Sequence, residues 1–207
     1  LANVPAPFGF RQLRRLDGGA PTAGFETVVI ASSDPNLYFT GDPIATSTTG
    51  PYVTLPASGT QQIRGIFMGC EYYNASVNRI VFSPYFPGSV ATTSGTNDVK
   101  GWCCTDTEML YIAQCSTVAT LSASQIGLNI GFTAAVSSLG NTLSGVSNVS
   151  LNPSSGVVVT GSSLPFRIYD FYSNYAPPGV NGTDNTSAGN ILVVAPNNFD
   201  RSNLTGI

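Results

Sequence analysis

Turn-forming residues interrupt this chain about every ten residues. Twenty-two glycines and 14 prolines in 207 residues supply much of that punctuation. The pieces between are short runs that alternate or are apolar throughout, which is the pattern of strands rather than of amphipathic helices. The clearest case is residues 62–87. In Gln62-Ile63-Arg64-Gly65-Ile66-Phe67-Met68-Gly69-Cys70-Glu71-Tyr72-Tyr73, strict alternation puts Ile66, Met68, Cys70 and Tyr72 on one face. Ile63, Gly65, Phe67, Gly69 and Glu71 fall on the other. Gly65 and Gly69 let a neighbouring element come close, or let the strand bend. Residues 74–78 are turn formers. The run Arg79-Ile80-Val81-Phe82-Ser83 then returns, and Pro84 and Pro87 stop it as a ladder strand. A central antiparallel hairpin is expected here.

The rest of the chain adds strands around it. Residues 1–24 carry Pro5, Pro7, Gly9, Gly18, Gly19, Pro21 and Gly24, so an extended arm is expected, with 25–207 as a single β domain. Strands are expected at Glu26 to Ser32, Leu37 to Thr40, Tyr52 to Leu55, and Val99 to Cys104. Met109 to Cys115 is apolar on both faces and reads as a buried central strand. Ser122-Ala123-Ser124-Gln125 has the form of a capping box opening one helical turn. Residues 137–156 form an exposed loop or a weak hairpin, with 150–153 and 156–160 pairing across its turn. In Leu164 to Tyr172, alternation sets Phe166, Ile168 and Tyr172 against Arg167, Tyr169 and Phe171. Asn190 to Ala195 is the last strand, and the tail from about residue 196 is expected along a surface. The fold class that follows is all-β: a single antiparallel sandwich or barrel, jelly-roll-like, with long polar loops.

Composition limits function. Hydrophobic residues are 42% and charged residues only 9%, where soluble domains average about 25% charged. The surface must be built from Ser, Thr, Asn and Gly, and it carries little charge to hold a neighbour off. A net charge of −3 argues against nucleic acid. The basic cluster Arg11, Arg14 and Arg15 is either a solvated turn or a docking arm. No apolar run is long enough for a membrane span and no signal-peptide pattern opens the chain, so neither is expected.

Catalytic chemistry finds little purchase. The chain has no histidine, which removes most acid–base, nucleophile–base and metal designs. Asp106 and Glu108 would share a strand face, yet they read as a turn and a solvated edge. No phosphate-cradling glycine motif or calcium loop occurs. Cys70, Cys103, Cys104 and Cys115 read as free buried thiols, with a Cys104–Cys115 bridge across a hairpin as the rival. Asn-x-Ser/Thr at positions 74, 148, 181, 185 and 203 is expected by chance in so polar a chain. No catalytic residue, metal site or cofactor is expected, and the chain is read as a non-enzyme.

Several segments, in order, resemble one family. They are Ala6-Pro7-Phe8-Gly9-Phe10-Arg11, Gly41-Asp42-Pro43-Ile44, Gly65 to Tyr72, Arg79 to Pro87, Met109 to Gln114, Gln125 to Asn129, Pro165 to Ile168 and Thr205-Gly206-Ile207. Together they are similar to small structural proteins of tailed bacteriophages, encoded beside the major capsid protein. Gln12, where the family pattern has Pro, and Val194-Ala195-Pro196-Asn197 depart from it. The resemblance implies a capsid cement, or head decoration, protein made in the host cytoplasm and carried on the outer shell. Its implied partners are the major capsid protein and further copies of itself, as a dimer or trimer.

Two contact regions are expected on that basis. Phe8, Phe10, Arg11, Arg14 and Arg15 of the arm would reach the capsid, and Tyr169, Phe171, Tyr172 and Tyr175 would lie between subunits. The rivals are a receptor- or glycan-binding fibre or tip module and a carboxylate-pair hydrolase using Asp106 and Glu108.

Overall fold

The computed structural model describes residues 2–21, 25–88, 98–134, 140–154, 158–160, 163–177, 180 and 184–202. The ending Thr205-Gly206-Ile207, Asn181 and Asn203, and parts of loops 88–98, 137–156 and 176–189 lie outside the described residues. The first strands are β1 (Arg11–Arg15), β2 (Phe25–Ile30), β3 (Tyr38–Phe39), β4 (Pro43–Thr46) and β5 (Val53–Thr54). Next come β6 (Gly65–Asn74), β7 (Arg79–Ser83), β8 (Tyr85–Phe86), β9 (Val99–Cys104) and β10 (Met109–Gln114). They are followed by β11 (Asn129–Phe132), β12 (Gly140–Asn141), β13 (Val146–Ser147) and β14 (Leu151–Asn152). The last are β15 (Val158–Val159), β16 (Phe166–Phe171) and β17 (Ile191–Pro196). The helical content described is limited to short 3₁₀ turns such as Ala123–Gln125 and Tyr172–Asn174. In the first, the Ser122 N–H donates to Gln125 Oε1 at 2.6 Å, as the capping-box motif requires.

The chain is all-β, as expected, and its named strand pairings are antiparallel. One sheet runs β2-β9-β6-β4-β5, with β7 also on β6. A parallel bridge between Val29 and Tyr52 brings its two ends together into a nearly closed five-stranded barrel. The second sheet runs β1-β10-β17-β16-β11-β14, with β15 also on β11. Residues 150–153 and 158–159 therefore both pair with β11 rather than with each other. β11 was not expected from the sequence: it is only four residues long and holds Gly131 within it.

Two cores result. Ile30, Tyr38, Ile44, Phe67, Cys70, Phe86 and Val99 fill the barrel. Gly101 faces inward, where an added Cβ would sit 3.1 Å from Val28 and 3.3 Å from Phe67. The larger core lies between barrel and sheet and gathers Phe10, Ile63, Ile66, Tyr111, Phe132, Phe166 and Phe199. Each such aromatic removed from water contributes about 1.5–3 kcal/mol.

The expected hairpin exists as β6 and β7, paired from Cys70–Ser83 to Asn74–Arg79. Its faces differ from strict alternation. The β6–β9 register shifts between Phe67 and Gly69, so Met68 is an extra, bulged residue. Gly69 takes φ 137° there, a conformation that favours glycine. Before the bulge Ile66 faces the larger core, and after it Cys70 and Tyr72 join Phe67 inside the barrel. Gly65 supplies the close approach, since a Cβ there would lie 2.3 Å from the Cys104 carbonyl oxygen.

Phe10 of the arm and Phe199 of the tail are both built into the larger core. The arm, expected as a separate extended segment, contributes β1 as an edge strand beside β10. The tail, expected along a surface, turns inward: Phe199 is fully buried, edge-on to Phe166 at 5.7 Å, and is bridged to Ile63. An ion-pair cluster clasps it, with Arg64 between Glu26 at 2.5 Å and Asp200 at 3.3 Å.

Candidate docking face

The outer face of the larger sheet brings together several of the residues expected to make contacts, from β1 and from the end of β16. Register sets the rows. Arg11, Ile112, Val193 and Asp170 lie side by side across β1, β10, β17 and β16. Arg14 pairs with Leu110, and Ala195 with Arg167. Arginines thus flank an apolar band on both sides. Leu110 and Val193 are fully buried although they point away from the main core, because Leu13, Ile112 and Tyr172 pack over them.

The arginines lie on rings. Arg11 sits over Phe8, 4.8 Å from the ring centroid, and Arg14 over Tyr175 at 5.3 Å. An Arg14 Nη2–H also donates to Tyr175 Oη at 3.4 Å. Such stacking orients a guanidinium while leaving its edge free to meet a carboxylate. Three arginines face one carboxylate across these rows, and that carboxylate, Asp170, already accepts from Asn174 at 2.6 Å and from the Phe171 N–H at 2.8 Å.

Three of the expected contact residues are elsewhere. Phe10 is 1% exposed and stacks on Phe166 at 4.3 Å, so it is core and cannot reach a partner. Phe171 is 2% exposed. The β16–β17 register shifts between Ile168 and Asp170, so Tyr169 is bulged and Phe171 turns inward. Arg15 is committed within the chain: it meets Glu108 at 2.5 Å and Asp106 and Asp17 at 3.7 Å. The hydrogen bond that Arg15 donates to the Glu108 carboxylate, and then the negative charge of Asp106, raise its pKa. Arg11 stays exposed, Arg14 and Tyr172 are half-buried, and Tyr169 and Tyr175 are 40% and 37% exposed. Arg167 was missed by the sequence analysis; its place opposite Ala195 is the signal, and only the register reveals it.

Asp106 and Glu108, in the turn before β10, form ion pairs with Arg15 on the neighbouring β1. Cys70, Cys103, Cys104 and Cys115 are free and buried, so the Cys104–Cys115 bridge is not formed. Burial pushes the Cys70 thiol up to about 12 and those of Cys103 and Cys115 upward too, the opposite of what a nucleophilic thiol needs. Asp42 closes the β3–β4 turn, is buried, and accepts the Phe39 N–H at 2.7 Å. Burial pushes it up to about 7, against the pull of Ser147 and Phe39. Among the described residues no group of three or more His, Cys, Asp or Glu could hold a metal ion, and no helix is long and apolar enough to cross a membrane.

No family model, no curated protein and no solved structure matches this chain.

Proposed function

We propose that this chain is a capsid cement, or head decoration, protein of a tailed bacteriophage, and that the Arg11–Arg14–Tyr175 face docks on the outer shell. The observation that carries the proposal is a convergence. The arm and the 169–175 stretch, expected as separate contact regions, share one sheet face, with Arg14 on the ring of Tyr175. The partner is the major capsid protein, met through acidic groups at the arginine rim and apolar groups along the band. The tyrosines belong to this capsid contact rather than to a contact between copies.

The work required is mechanical. A β framework with Phe10 and Phe199, from opposite parts of the chain, packed into one core resists deformation. Each bound copy stabilises the assembled shell by mass action, and many copies add. A rim of exposed charge steers docking and weakens with salt.

The test is the double substitution Arg11→Glu with Arg14→Glu, mixed with undecorated capsids and pelleted. Loss of co-sedimentation with unchanged circular dichroism is expected; undiminished binding overturns the reading. Copy number in purified virions, by quantitative mass spectrometry, separates the alternatives. A ratio to major capsid protein near one, or a simple fraction such as one-third, supports a lattice cement. A handful of copies per particle points to the fibre or receptor-binding module.

A further inference from the structure

The β6–β7 hairpin has the features of an unfinished sheet. β7 pairs with β6 on one side, and among the described residues no strand pairs its other edge. Ile80 is 63% exposed and Phe82 70% exposed. Both lie on the outer face, Ile80 opposite Tyr73, and Phe82 opposite Glu71 with its ring stacked near-parallel to Trp102 at 6.2 Å. Free edges are normally blunted by charge or proline, because their open N–H and C=O groups accept another strand. β7 has Arg79 at its start and Pro84 just past its end, and nothing between.

We infer that β7 is the pairing edge for a second copy of this chain, joined antiparallel about a two-fold axis at Val81. The sequence of the strand selects this occupant. About that axis, Ile80 of one copy meets Phe82 of the other, twice, so each exposed apolar side chain covers its counterpart. Arg79 falls opposite Ser83, so no like charges oppose. The register is set by length. All five residues pair only when centred on Val81; a slip by two leaves three pairs, and a slip by one puts Ile80 and Phe82 on the wrong face. Pro84 has no N–H and prevents extension.

The contact is small beside the ~1,600 Å² of a standard interface. A concentration-dependent dimer follows, strengthened wherever copies are held side by side. The inference stands apart from the capsid reading, since β7 is on the barrel sheet and the arginine face on the other.

Sedimentation velocity on the full chain tests it. The wild type should pass from monomer to dimer as concentration rises. Phe82→Lys and Ile80→Glu should each raise the dissociation constant about tenfold or more, with unchanged circular dichroism. An equimolar mixture of the two variants should regain the dimer, since Lys at 82 then faces Glu at 80 and Ile80 faces Phe82. A wild type that stays monomeric throughout, a Phe82→Lys variant that dimerises like wild type, or a mixture that stays monomeric would each overturn the inference. The Arg11→Glu, Arg14→Glu protein should keep the dimer, so failure of capsid docking is distinguishable from failure of this pairing.

Discussion

Phe10 lies flat on Phe166, ring centroids 4.3 Å apart and planes 13° from parallel. The Phe10 N–H donates to the Gly41 carbonyl at 3.0 Å. An N-terminal arm is thereby fixed to a strand more than 150 residues later and to the turn before β4. Phe10→Ala should cost about 3–5 kcal/mol, read as a lower urea midpoint. Deleting residues 1–16 removes this ring and strand β1, so the truncated protein should unfold rather than merely lose binding. A truncated chain with native circular dichroism and an unchanged midpoint would contradict the role given to Phe10.

Asp42 makes stability depend on pH in the reverse of the usual carboxylate sense. Its folded pKa is about 7 against 3.8 for the free side chain. The native state therefore holds the proton more tightly than the unfolded chain between those values. Stability from this group is full below about pH 4 and is lost as pH rises through 7, on the order of 4 kcal/mol in all. Asp42→Asn should flatten that slope between pH 5 and pH 8. Urea titrations at the two pH values give the measurement, and equal slopes in both proteins would refute the assignment.

Two glycines should respond differently to alanine. At Gly59 an added Cβ would fall 1.5 Å from the carbonyl oxygen of Phe132, on a strand held by β14 and β16. The clash is with sheet backbone rather than a movable side chain, so Gly59→Ala should be strongly destabilising. At Gly18 nothing lies within 4 Å, and only its φ of +87° opposes a side chain. Gly18→Ala should cost about 1 kcal/mol. Expression yield and thermal midpoint compare the two directly.

The four thiols should be silent in the native protein. All are buried, and reaction requires an accessible thiolate. Ellman's reagent should release close to no chromophore at pH 8, and four equivalents once the chain is unfolded. Prompt reaction of one thiol in the native state would contradict the placement of that cysteine.

Tyr175 and Arg14 should act as a pair in capsid docking. Each exposed or half-buried side chain adds little to the fold, so Tyr175→Ala and Arg14→Ala should leave the thermal midpoint within a degree or two. Both should weaken co-sedimentation with capsids, and the double variant should lose less than the sum of the two. Strict additivity would mean that the stack does not orient the guanidinium.

Fold class was legible in the sequence because it depends on local quantities. The spacing of turn formers, the period-two runs and the apolar Met109–Gln114 segment each imply strands whatever surrounds them. The capping box at Ser122 is equally local, and a 3₁₀ turn stands there. The basic arm and the aromatic 164–172 segment were visible as unusual stretches, but not as neighbours.

Side-chain direction beyond a bulge was not legible. At Leu13, Met68 and Tyr169 one extra residue enters a strand, and the register with its partner shifts. In β6 and β16 that single insertion reverses which later residues face inward: it turns Phe171 into the core and parts Ile66 from Cys70. A bulge is decided by what the partner strand offers at that rung, and the partners of β6 and β16 lie some 20 to 40 residues away in the chain. The sequence by itself determined that strands form, roughly where, and that little charge would cover them. Only the tertiary structure decided which faces are buried, because pairing across sheets, not alternation along a strand, sets the direction in which each side chain points.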